Sequence, residues 1–489
     1  MESRTISERR ALLDPLVLLG LFTFCWLVLI SVVFYFSQDM NDASSPLYLM
    51  PAILTVLVFA SFLILSLFLR VSQVWYFSLI LYPILGWGSS LFIMKPFGSY
   101  ISLYSVLWFF VLLKTLSIEL KRKLSKHELF FWSFVWGWLF SRIFSLFLFN
   151  QIPFEVVFLD YLSPLLFLGV LFRLYFLIDI TQLSSFVIKS TFYLFSAVVF
   201  VALFEMVLRS EGRPWLFLLH GARKLYAGTS GDVTGGLGEP VTLGLTAAFY
   251  SIAILFLYDS KRLKTKWFIV LLLLLTLISL FSYSRSSLLV SFSVIFVCFL
   301  RYNKKLSPFV LIAISVALVV AATVFIGRFI PSEANATGDL QFVSGGLSME
   351  LNLAIYLNAI TSWMNGTYND VHPLIQFIML PLIGGESNLV KLQFVDFRAL
   401  IIPGVLLIIL FSFLFIRAMY LRMPVFPLLV AFSIFYYYGA FGSTAFSTIL
   451  LGEKPVSLGY VGREAPLYLF LLWLVMLNCS LILAKEKAA

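Results

Sequence analysis

Apolar runs approaching twenty residues or more recur along this chain, and such runs leave the backbone few choices. In hydrocarbon every N–H and C=O must be paired within the chain, so a lone apolar segment crosses a membrane as a helix. About twenty residues suffice for a crossing. Reading for such runs gives about fourteen: 15–36, 47–69, 74–94, 100–118, 129–149, 156–178 and 186–207, then 239–257, 267–281, 288–300, 308–326, 400–415, 426–440 and 466–483. The first is too long for a cleavable signal and has no small-residue cleavage site after it. Charged residues make up 12% of the chain, about half the share a soluble domain carries. A cytosolic enzyme, a disordered protein and a nucleic-acid binder are all excluded on that ground. The expected fold is all-α: a polytopic membrane helix bundle of about fourteen spans forming one integral membrane domain over residues 1–489.

Lysine and arginine set the orientation. Alternate connections carry Arg4, Arg9 and Arg10; Arg70; Lys121, Arg122, Lys123 and Lys126; Lys261, Arg262, Lys264 and Lys266; Arg301, Lys304 and Lys305; Arg417 and Arg422; Lys485 and Lys487. These read as the cytoplasmic side, with both termini cytoplasmic. The opposite face receives three long connections, 208–238, 327–399 and 441–465. In the middle one, Leu347, Leu351, Ala354 and Ile355 recur at helical spacing, which suits a short interfacial helix. Residues 372–382 form an apolar stretch too short to span.

Charges retained on the non-cytoplasmic face of so apolar a chain need a reason. Arg213, Arg223, Arg285, Arg328 and Arg463 lie there by this topology. Guanidinium binds phosphate through paired, fixed donors, so these are candidate anion-binding residues; pairing with acids such as Glu239, Glu386 and Glu464 is the alternative. Arg285 sits in a short polar segment between two apolar runs, where an unpaired charge is costly. Its candidate partners are a substrate phosphate and Glu239. Upstream, residues 228–238 hold five glycines in eleven positions, which forbids a regular helix and permits close backbone approach. Glu239-Pro240 then opens an apolar run, with proline suited to the first helical turn. Glu239 is either a plain helix cap, a catalytic carboxylate, or an anchor for a substrate-binding arginine.

Of three histidines, His127 falls in a basic connection and His220 early in an external one, while His372 heads the short apolar stretch and is placed to act as a base. Cys25, Cys298 and Cys479 all lie in apolar runs, so neither a disulfide framework nor a zinc site is expected. No ligand cluster suggests a bound metal or other cofactor.

Taken together, these segments resemble the O-antigen polymerase (Wzy-type) and O-antigen ligase family of bacterial envelope glycosyltransferases. The resemblance covers roughly residues 205–420 and rests on three features: an Arg/Gly-rich external segment ending in Gly-Leu-Gly-Glu239-Pro240, the Ser284-Arg285-Ser286 segment one span later, and a large external loop ending in Pro381-Leu382-Ile383-Gly384-Gly385-Glu386. It implies a GT-C-like helix bundle in the bacterial inner membrane. The implied enzyme is metal-independent, takes no cofactor, and joins polyprenyl-diphosphate-linked oligosaccharides. Its partners would be that lipid-linked glycan, membrane lipid and a chain-length-regulating membrane protein, with no nucleic acid. The resemblance further implies that arginines hold the diphosphate while a base deprotonates an acceptor hydroxyl. Glu386-Ser387-Asn388 lacks the His-Asn typical of the ligase branch. That departure favours a polymerase over a ligase and leaves the base open among Glu239, His372 and Glu386. A lipid-linked oligosaccharide flippase is the competing class, although no internal repeat marks a transporter.

Overall fold

The computed structural model describes residues 50–88, 103–120, 125–150, 154–210, 240–281, 398–425 and 464–488, with Gly20, Thr23, Gly235 and Leu428 as single positions. All the regular structure among them is helical. The helices are α1 (Met50–Phe68), α2 (Val71–Gly88), α3 (Leu103–Leu116), α4 (Lys126–Asn150), α5 (Phe154–Leu177), α6 (Ile180–Ser210), α7 (Pro240–Asp259), α8 (Thr265–Phe281), α9 (Arg398–Tyr420) and α10 (Glu464–Ala488). Each coincides with one of the apolar runs. The runs at 15–36, 288–300, 308–326 and 426–440 lie outside the described residues, apart from Gly20, Thr23 and Leu428. Three stretches are long and apolar enough to cross a membrane: Gln182–Leu203, Ile402–Tyr420 and Leu467–Lys487.

Helix ends depart from the apolar runs where polar residues continue the helix. The run at 186–207 lies inside α6, whose 31 residues span about 46 Å, well beyond a hydrocarbon core of about 30 Å. Thr181, Gln182, Ser184 and Ser185 extend it at the first end. Hydropathy marks hydrocarbon; it does not mark where a helix stops. Two helices end with a basic residue in the left-handed region, Lys261 at φ 55° and Arg422 at φ 54°. In each, paired backbone bonds close the turn: Lys261 N to Tyr258 O and Arg262 N to Leu257 O, then Arg422 N to Met419 O and Met423 N to Ala418 O. This is the Schellman arrangement, usually built on glycine.

Side-chain contacts fix the direction of every helix. Phe249 and Ser480's partner Ala253 on α7 meet Trp473 and Ser480 on α10 in ascending order, so these helices are parallel. Phe411 and Arg417 on α9 meet Trp473 and Asn478 likewise. Trp108 and Thr115 on α3 follow Phe167 and Arg173 on α5. Phe130 on α4 meets Phe413 on α9, while Gly137 faces Leu406, so this pair is antiparallel. Tyr258 and Phe268 stack across the α7–α8 turn with ring centroids 4.2 Å apart. Helices α1, α3, α5, α7, α9 and α10 therefore run one way and α2, α4, α6 and α8 the other.

The last helix is the hub. The membrane-spanning window of α10 is 94% buried, against 39% for α9 and 56% for α6. Trp473 sits between Phe249, at 5.0 Å, and Phe411, at 5.8 Å, and its indole N–H donates to the Phe249 carbonyl. Across the bundle Trp75 donates to Ser190 Oγ at 3.0 Å, joining α2 to α6. Lipid tails are as apolar as these side chains, so packing and interhelical hydrogen bonds carry the association. Aromatic pairs of this geometry each contribute about 0.5–1.5 kcal/mol.

Candidate functional site

The helix directions give the bundle two chemically different ends. One end collects the basic residues: Arg70, Lys114, Lys126, Arg173, Lys261, Arg262, Lys264, Lys266, Arg417, Arg422, Lys485 and Lys487. Several of them close helix C-termini, where orphan carbonyls and the negative end of the dipole welcome a cation. Lys114 Nζ donates to the Ser66 carbonyl at the end of α1. Arg173 Nη2 donates to the carbonyls of Thr115 at 2.8 Å and Ile118 at 2.7 Å, beyond the end of α3. Arg262 pairs with Glu486 at 3.4 Å.

A buried clasp completes this basic end. Glu128 lies in the first turn of α4, 3% exposed. Its Oε2 accepts from Ser125 N at 2.9 Å, and Ser125 Oγ accepts from Glu128 N at 3.3 Å, a capping box. Its other oxygen accepts from the Tyr175 hydroxyl at 2.6 Å. Arg417 Nη1 donates to Asn478 Oδ1 at 3.2 Å, with Glu128, Tyr175 and Cys479 as charge neighbours. Four helices (α4, α5, α9 and α10) are thus joined through polar groups at one level.

The opposite end receives the long connections. Residues 208–238 lead towards α7, 327–399 into the start of α9, and 441–465 into the start of α10. Phe249 and Trp473 each lie nine residues into their helices, about 14 Å, and Phe411 lies thirteen into α9, about 20 Å. Because these rings touch, the three helix starts are level to within about 6 Å. Glu239 directly precedes Pro240, the first residue of α7, and the segment holding Arg285 follows the end of α8 at Phe281. The α7–α8 turn brings those two ends to the same side. Gly235, ahead of α7, has φ 57°, a conformation that glycine adopts without strain.

The residues singled out from sequence, namely Arg285, Glu239, His372, Arg213, Arg223, Arg328, Glu386 and Arg463, all lie outside the described residues. What is described is where their chain segments attach. Glu239 and Arg463 are each one residue from a helix start at the loop end, and Arg285 is four residues beyond the end of α8.

One residue escaped the sequence reading. Arg142 lies inside the apolar run that became α4, with 2% exposure. Its guanidinium carbon is 5.5 Å from the centroid of the Trp138 ring, one turn earlier, and 6.0 Å from that of Tyr161 on α5. Trp138 in turn meets Phe470, six residues into α10. One helical turn further, Arg142 is about 3 Å deeper than the start of α10. Nearby in depth, Trp108 Nε1 and Ser163 Oγ are buried with no hydrogen-bond partner. The signal was available: a guanidinium within an apolar run of spanning length.

Compared with family models, with curated proteins and with solved structures, the chain matches none.

Proposed function

We propose that this chain is a membrane glycosyltransferase that joins polyprenyl-diphosphate-linked oligosaccharide repeat units into a cell-surface polysaccharide. The work is done at the loop end, on the non-cytoplasmic face of a bacterial inner membrane, with the basic end in the cytoplasm as the positive-inside rule requires. One observation carries the reading. Three long connections rich in arginine and glycine enter three mutually packed parallel helices, α7, α9 and α10, at nearly one level and opposite the basic end. That arrangement suits a substrate with its polyprenyl tail in lipid and its sugars in water.

The chemistry follows from the residue types. An acceptor hydroxyl attacks the anomeric carbon of the donor glycan, a C–O bond forms, and the bond to the diphosphate breaks. Negative charge grows on the departing lipid diphosphate, which fixed arginines stabilise; Arg285 takes that role, with Arg213, Arg223, Arg328 and Arg463 holding diphosphate and glycan. The hydroxyl proton goes to a base among Glu239, His372 and Glu386. No step calls for a metal ion. A ligase is disfavoured by Glu386-Ser387-Asn388. A flippase is disfavoured by the polar clasp across four helices at the basic end, which alternating access would have to break.

The test is polymerisation by purified protein supplied with lipid-linked repeat units, read as glycan length on gels. Arg285→Ala lowers the rate on the order of a hundredfold, and Arg285→Lys, which lacks the two-pronged donor, is nearly as damaging. Wild-type polymer at wild-type rate from Arg285→Ala would remove Arg285 from the site.

A further inference from the structure

Arg142 is the described basic side chain that the sorting of charge by end leaves unexplained. It lies in the half of the bundle nearest the loop end, 2% exposed, between the rings of Trp138 and Tyr161. An apolar side chain of similar volume would join α4 to α5 there without desolvating a charge, so packing alone does not account for a guanidinium. Its depth, just below the start of α10, brings it close to helix starts whose partial positive charges add to its own. Buried among rings, that charge is screened by salt far less than one on the surface. An anion held at the loop end therefore experiences a field that the surface arginines do not supply.

We propose that Arg142 is a selectivity residue for the substrate headgroup: its buried charge favours polyprenyl diphosphate over uncharged polyprenol, acting through the field across the outer half of the bundle and not by contact. This rests on the functional reading above. At about 10 Å and an effective dielectric constant near 20, one unit charge changes the affinity for another by roughly tenfold. The effect falls on binding of the charged lipid, so KM rises while kcat changes little.

The experiment measures binding of polyprenyl diphosphate and of the polyprenol of equal length to the purified full-length protein in detergent, at low and high salt. Wild type prefers the diphosphate. Arg142→Gln and Arg142→Met lose at least about tenfold in diphosphate affinity, keep their polyprenol affinity, and show the loss at both salt concentrations. Arg142→Lys keeps the charge and loses the planar stacking, so it retains the preference; its loss would assign the residue to packing and overturn the proposal. Unchanged discrimination in Arg142→Gln, or equal loss for both lipids, would also overturn it. A wild-type protein that does not distinguish the two lipids fails earlier, and takes the functional reading down with it.

Discussion

Removing the bond between Tyr175 and Glu128 tests the clasp at the basic end without emptying the core. Tyr175→Phe deletes one hydroxyl, and Glu128→Gln keeps the shape and the capping box, since glutamine also serves at that position. The hydroxyl donates at 2.6 Å to a carboxyl whose other oxygen already accepts from Ser125 N. Two accepting oxygens are the pattern of the ionised form. Hydrogen bonds to charged groups contribute about 1.5–3 kcal/mol in soluble proteins, whereas interhelical bonds in membranes average about 0.6 and reach about 1.7 kcal/mol. Buried, short and near the helix end, this bond belongs at the upper membrane value, so each single change costs about 1–2 kcal/mol. A double-mutant cycle in unfolding of the detergent-solubilised protein gives a coupling of about 1–1.5 kcal/mol. Additivity within about 0.3–0.5 kcal/mol would refute the claim that the two groups act as a unit.

Three further changes probe other levels of the structure. A Cβ at Gly169 would meet the Leu112 methyls at an ordinary 3.5 Å, so Gly169→Ala stabilises by up to about 1 kcal/mol through helix propensity, while Gly169→Leu overpacks the α3–α5 contact and costs about 1–3 kcal/mol; thermal unfolding distinguishes them. Lys261→Gly at φ 55° relieves about 1 kcal/mol of left-handed strain, partly offset by unfolded-state entropy, and leaves a net gain of roughly 0.5 kcal/mol in the same assay. Cysteines introduced at Asn335 and Asn365 react with an impermeant reagent added outside intact spheroplasts; protection there with reaction from the cytoplasmic side would reverse the orientation.

Helix positions were legible because hydrocarbon imposes one rule on backbone and side chains alike: a run of apolar residues must be helical. Directions were legible too, through the alternation of basic connections, and the pairing of Lys114 with α1 and of Arg173 with α3 gives those charges a local structural use. Helix ends were less so, as α6 shows, because polar residues at the interface continue a helix as readily as they end it. The centrality of α10 was not visible at all. A central and a lipid-facing helix have the same composition, and only contacts such as those of Trp473 separate them. Arg142 was passed over because attention to charges outside the runs obscured one inside a run. Candidate groups in the external connections could be named from residue type and spacing, but their mutual geometry depends on loop paths that periodicity does not encode.

Reconstitution into liposomes tests the central claim most directly. Wild-type protein is supplied with lipid-linked repeat units on the face bearing the long connections, and glycan length and transbilayer movement are followed together. The account predicts a ladder of lengthening glycans, release of polyprenyl diphosphate with each joining step, and no movement of the glycan across the bilayer. Glycan that crosses the bilayer while remaining a single repeat unit would contradict it and identify the chain as a transporter.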